Sequence, residues 1–207
     1  MSWLLRNWTD VVHALWEHVV ISLTALTIAF ALSMVIGIVA ARRERLYGTV
    51  MTVSGILYTI PTLAFLAFLI PLVGLGRVNA IITMVAFSLM ILIRSVATGI
   101  REVPHEIIDA ARGMGMNAGQ IMRRIELPLA LPLIVAGLRV SAVTVISVTV
   151  VAAYVNAGGL GTLIFNGIAS DHPAKIWAGA LTACALAVSV DLLLAAFERG
   201  LKLRRAA

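Results

Sequence analysis

Four histidines, His13, His18, His105 and His172, are the side chains best suited to acid–base or metal chemistry near neutral pH. They are scattered along the chain, and no His-x3-His pair or carboxylate cluster accompanies them. The convergent groups an enzyme needs are therefore missing from the sequence. Cys184 is the only cysteine, so no internal disulfide and no cysteine metal site is expected. A phosphate-binding loop requires a glycine-rich turn ending in Gly-Lys-Ser/Thr, whose backbone N–H groups and lysine hold the phosphates. The stretch Gly158-Gly159-Leu160-Gly161 is rich in glycine but lacks the lysine. The chain is expected to bind no metal and no cofactor, and any nucleotide site must belong to a partner.

Three charges interrupt otherwise apolar stretches: Arg94, Arg139 and Asp191. Each lies seven residues from a marker of one membrane face, namely Arg101, Pro132 and Glu198. At 1.5 Å per helical residue that is a depth of about 10 Å, so the three should share one layer. Charges in lipid normally pair or face a cavity. Asp191 is expected to pair with Arg139 or Arg94, within the chain or across a dimer. The alternative is that the arginines snorkel to the interface.

The elements that hold these residues follow from composition. The 207 residues are 61% hydrophobic and 13% charged, with a mean hydropathy of +1.02. Soluble domains are about 45–50% apolar and about 25% charged. Five stretches, 19–41, 49–73, 78–100, 133–155 and 176–197, have the ~20 apolar residues that cross ~30 Å of hydrocarbon. Lipid offers the backbone no hydrogen-bond partner, so each should be a helix. The fold class is thus all-α and integral to the membrane, one domain over 1–207 with five transmembrane helices. Pro61 should kink the second span. Residues 3–18 carry apolar positions at helical spacing, with Trp3, Trp8 and Trp16 as interface anchors. They predict an interfacial helix, or else an extension of the first span.

Lys and Arg set the orientation. Eleven of them fall in the loops after spans one and three and in the C-terminal tail, from Arg42 to Arg205. Only Arg6, Arg77 and Lys175 lie on the other side. The N-terminus is therefore expected outside and the C-terminus in the cytoplasm. The net charge of +6 reflects this topology, and no nucleic-acid partner is expected.

The loop 101–132 is the longest cytoplasmic connection. Pro104 suits a helix start. Ile107, Ile108 and Ala111 then fall on one face. Gly113 and Gly115 can end that helix. Asn117 with Gln120 has the spacing of a capping box for a second short helix, which Pro128 and Pro132 would close before span four. The bland alternative is a connector of no special role.

Within this loop the chain reads Asp109-Ala110-Ala111, three residues, Gly115, nine residues, then Ile125-Glu126-Leu127-Pro128. It resembles the cytoplasmic signature of bacterial ATP-binding-cassette (ABC) importer permeases, with Asp109 in place of the usual Glu. The resemblance implies a MetI-like type I importer permease fold. It implies that Asp109, Ala110, Ala111, Gly115, Ile125, Leu127 and Pro128 couple to a cytoplasmic ABC ATPase dimer, where ATP and Mg would be used. Small side chains at Ala110 and Ala111 would allow that partner to approach closely. The implied partners are a second copy or a paralogous permease, an extracytoplasmic substrate-binding protein and the lipid bilayer. The implied location is the bacterial inner membrane.

Further stretches, among them Ile60 to Phe65, Ile70 to Gly76 and Ala157 to Gly161, resemble the osmoprotectant (Opu/ProW-like) permeases. That resemblance implies import of glycine betaine, choline, carnitine or related quaternary amines. A quaternary ammonium has no N–H to donate, and aromatic faces hold it by cation–π attraction. The span aromatics Tyr58, Phe65, Phe68, Phe87 and Tyr154 are candidates to line the pathway, with ordinary core or lipid contact as the alternative. Asn156, Gly158, Gly159, Gly161 and Asp171, in the outer loop, are candidates to dock the binding protein. Competing functional readings are a permease for an amino acid such as methionine, and an ion-coupled transporter. The latter would place acids nearer mid-bilayer.

Overall fold

The computed structural model describes residues 6–206, with side chains described as far as Lys202. Trp3 lies outside the described residues. Every regular element among them is a helix. The first, α1 (Trp8–Ala41), is continuous for 34 residues. The interfacial segment is therefore an extension of the first span. The sequence contains no Pro or Gly from Trp8 to Ile36, so nothing interrupts the helix there.

Next come α2 (Glu44–Thr59) and α3 (Thr62–Val73), joined at Ile60 and Pro61. Then α4 (Arg77–Arg101) crosses the bundle. Two short helices follow, α5 (His105–Gly113) and α6 (Ala118–Ile121). A π-helical turn, Met122–Glu126, leads into α7 (Leu127–Ala152). The chain ends with α8 (Leu160–Ala169) and α9 (Pro173–Ala206).

Four helical stretches are long and apolar enough to cross a membrane, and the pair α2–α3 makes a fifth span if counted as one. That pair is bent by 98°. The kink expected at Pro61 is a complete break. Pro61 has no N–H to give, and it pushes Ile60 into an extended conformation (φ −70°, ψ 127°). Pro71 lies inside α3, which ends two residues later.

A second correction concerns Pro128 and Pro132. They do not close a short helix. The chain runs helically from Ala118 to Val155, 38 residues, through both prolines. The wide turn at Met122–Glu126 immediately precedes Pro128, where the regular ladder lacks a donor. The end of the 101–132 loop is thus one piece with the span that follows it.

Helix α4 packs against α1 on one side and α7 on the other, and α9 covers α7 and α8. Small residues allow this. A Cβ on Gly137 would sit 2.1 Å from Ser95 Oγ, and one on Gly37 would sit 2.7 Å from Val96. Helices in lipid gain from such close approach because lipid tails are as apolar as side chains. The largest core cluster joins Ile21, Leu66, Met84 and Val145 from α1, α3, α4 and α7.

Candidate functional site: the cytoplasmic coupling segment and the broken span

The segment 101–132 is built from closed ends. Helix α5 terminates in a Schellman arrangement: Met116 N–H donates to Ala111 O at 3.1 Å and Gly115 N–H to Arg112 O at 2.9 Å. Gly115 takes φ +82°, which a side chain would strain. Asn117 caps α6 with both arms of a capping box. Its Oδ1 accepts from Gln120 N–H at 2.9 Å, and its own N–H donates to Gln120 Oε1 at 2.8 Å. Val103, Ile108, Ala111 and Ile121 form a small core beneath, with Met116 and Ile125 packed on it.

This geometry revises two expectations. Ala111 is fully buried, so only Ala110 of the pair faces outward. Ile107 is exposed rather than sharing the inner face of Ile108. Ile107, Ala110 and Met114 instead leave an exposed apolar stripe, with Met114 74% exposed. Asp109 is exposed and pairs only with Arg112, at 3.1 Å. Ile125 and Leu127 are half-buried, and Pro128 is exposed.

Glu126 was not among the residues singled out by the sequence. It is 1% exposed, within the π turn, and forms an ion pair with Arg42 at the end of α1. A buried carboxylate demands such a partner. Its signal was a lone acid between Ile125 and Leu127. Arg101 adds a second tie. It donates to Ala41 O and Ala40 O, both at 3.1 Å, pairs with Glu44 and lies over the Tyr47 ring. The C-terminal ends of α1 and α4 and the start of α7 are thus bound together.

Arg139 holds Asp191 with two nearly equal bonds of 3.1 Å, and Glu198 at 2.8 Å. Glu198 in turn accepts from Lys202 at 2.6 Å. This chain of charges ties α7 to α9. Arg94 is not part of it: it is exposed on α4 and has no ion pair among the described residues.

The five aromatics separate. Phe65 and Phe87 meet edge to face at 5.6 Å, and Tyr58 lies 5.8 Å from Phe87. All three adjoin the α2–α3 break. Phe68 is exposed on α3. Tyr154 is exposed and pairs with Phe165 instead.

In the loop after α7, Asn156 adopts a left-handed conformation (φ 61°) that asparagine tolerates. Asn156 and Asp171 are exposed and Gly158 is half-buried, whereas Gly159 and Gly161 are buried. Those two glycines serve packing rather than an outer surface. A Cβ on Gly161 would sit 2.0 Å from Val150 O. Glu17 accepts from Gly159 N–H at 3.2 Å and pairs with Arg77. His18, fully buried, bonds Ile146 O at 3.2 Å and accepts from Leu160 N–H at 3.3 Å.

Residues 33–203 match the family described as binding-protein-dependent transport system inner membrane component. The chain belongs to that family. The permease is accordingly an inner-membrane protein. It is 36% identical to the choline transport system permease protein OpuBB of Bacillus subtilis over 97% of this chain and 93% of that one. It is 38% identical to the carnitine transport permease protein OpuCB of Listeria monocytogenes, over 88% and 84% of the two chains. Its fold is that of a chain in the inward-facing MetNI methionine ABC transporter, with a TM-score of 0.83, 23% identity and 97% of each chain covered.

Proposed function

We propose that this permease is the translocation subunit of an ATP-driven importer of quaternary-amine osmoprotectants: glycine betaine, choline, carnitine or close relatives. Near-full-length identity of 36–38% to permeases named for choline and carnitine carries the reading. The methionine transporter shares the fold at 23% identity, and that likeness says nothing of cargo.

The N-terminus lies outside and the C-terminus in the cytoplasm, as the Lys/Arg bias requires. The apolar stripe Ile107, Ala110 and Met114 docks on a partner ATPase, flanked by Asp109. That partner binds ATP and Mg, and this chain hydrolyses nothing. Gly115, Ile125, Leu127 and Pro128 hold the docking helix in register with α7. The docking helix joins α6 through the short closed turn at 114–117, and because α6, the π turn and α7 are continuous, a push passed through that turn reaches the membrane along one helix. A second copy or a paralogous permease completes the pathway. Tyr58 lines it, backed by the buried Phe65 and Phe87, with Phe68 and Tyr154 on its edges. Arg139 and Asp191 brace α7 against α9 near the inner face, and Arg94 faces the partner permease. A substrate-binding protein docks outside on Asn156 and Asp171.

The test is uptake of labelled choline and glycine betaine after osmotic upshift, with and without this gene, in cells stripped of redundant systems. The gene should be required, and unlabelled carnitine should compete while methionine should not. Competition by methionine alone would refute the cargo.

A further inference from the structure

We propose that the break between α2 and α3 is itself a binding site for the quaternary ammonium group. The proposal rests on the reading of the permease as a quaternary-amine importer and adds to it where in the chain the cargo is held.

The break lies at membrane depth. Helix α2 has 16 residues, so its last turn sits about 24 Å from its cytoplasmic end. Among the described residues, none donates a hydrogen bond to the carbonyls of Tyr58, Thr59 and Ile60. Ile60 N–H turns back to Leu57 O at 3.2 Å, Thr59 Oγ donates to Ile56 O, and Phe65 N–H goes to Pro61 O. The end of α3 is also fastened by a side chain of α4. There Gly74 N–H closes on Ile70 O at 2.8 Å, and buried Asn79 donates to Leu66 O and Gly74 O. Open carbonyls at this depth are tolerated only against protein or a water-filled cavity.

The surroundings favour a cation of one kind. The end of a helix carries a partial negative charge on its free carbonyls. Tyr58, on that same last turn, is 42% exposed and presents an aromatic face. Phe87 stands behind it at 5.8 Å, and Phe65 braces Phe87 edge to face. No Asp or Glu occurs between Glu44 and Glu102, so no carboxylate of this segment competes for the cation or traps it. A small metal ion needs a full shell of oxygens, which three carbonyls on one side do not supply. A methyl-clad ammonium needs aromatic faces and a diffuse negative field, and both are here. Binding without a formal counter-charge is weak enough to release, as a pathway requires. Tyr58 is the contact residue, and Phe87 and Phe65 are positioning residues.

The experiment uses the assembled complex, with its ATPase and binding protein, in vesicles. Choline uptake is measured at saturating binding protein for Tyr58→Phe, Tyr58→Trp and Tyr58→Leu, and for phenylalanines of increasing fluorination at position 58. A cation–π contact predicts uptake near wild type for Phe and Trp, a fall of about tenfold for Leu, and a logarithm of rate that declines steadily with fluorine count. Tyr58 is exposed, so the melting midpoint of every variant should match wild type. Uptake flat across the series and unchanged in Tyr58→Leu would overturn the site alone. Wild-type vesicles that take up no quaternary amine would overturn the cargo reading first, and the site with it.

Discussion

Two breaks in the helical ladder meet opposite treatment. In the coupling segment, α5 ends in a Schellman closure and α6 opens with a full capping box. The one buried acid there, Glu126, has its arginine. At the α2–α3 break, three carbonyls have no partner among the described residues and no acid lies nearby in sequence. In the proposed function the first segment pushes, and its polar groups are satisfied internally because buried polar groups need partners. The second is proposed to receive the solute, and its polar groups are left free. Substitutions should therefore act on stability in the first region and on transport in the second.

The largest effect is expected from Arg42→Ala. It strands the buried Glu126 carboxylate. Breaking a buried pair costs ~3–5 kcal/mol, and the half-exposed Arg42 puts this one at the low end. Denaturation in detergent should show the loss, and a midpoint equal to wild type would mean the coupling segment is not closed as described. Gly115→Ala comes next. Forcing a side chain into a left-handed conformation costs ~1–2 kcal/mol, and the same denaturation assay reads it. Asn117→Ala should cost ~1 kcal/mol by loss of the cap, with Asn117→Asp close to wild type in a thermal melt. At the break, Thr59→Ala should change stability by no more than ~0.5 kcal/mol. A larger loss there would blur the distinction between the two regions.

Legibility followed distance along the chain. The capping box and the Gly115 turn each involve residues within a few positions of one another, so spacing alone revealed them. The Arg42–Glu126 pair joins residues 84 positions apart, and nothing local marks Arg42 as more than a topology signal. Pro61 was legible as an interruption. The size of the bend was not, because it depends on where Asn79 and the surrounding core fasten α3. Pro128 and Pro132 misled for a related reason: the π turn ahead of them lets the helix continue. Ala110 and Ala111 both suit the close approach of a partner by size, and only the core beneath the helix fixes Ala111 as the buried one of the two. The partition of the outer glycines was likewise hidden, since Gly161 is held by contact with Val150, a residue of another helix.

The central claim is that the break faces water and solute while the core of the bundle does not. Single cysteines at Thr59, Leu63 and Ala142 in a Cys184→Ser background test it most directly, using a water-soluble maleimide on the assembled complex. The account predicts rapid labelling at positions 59 and 63, slowed by choline, and none at the buried position 142. Protection of 59 and 63 from the reagent, or labelling indifferent to choline, would contradict it.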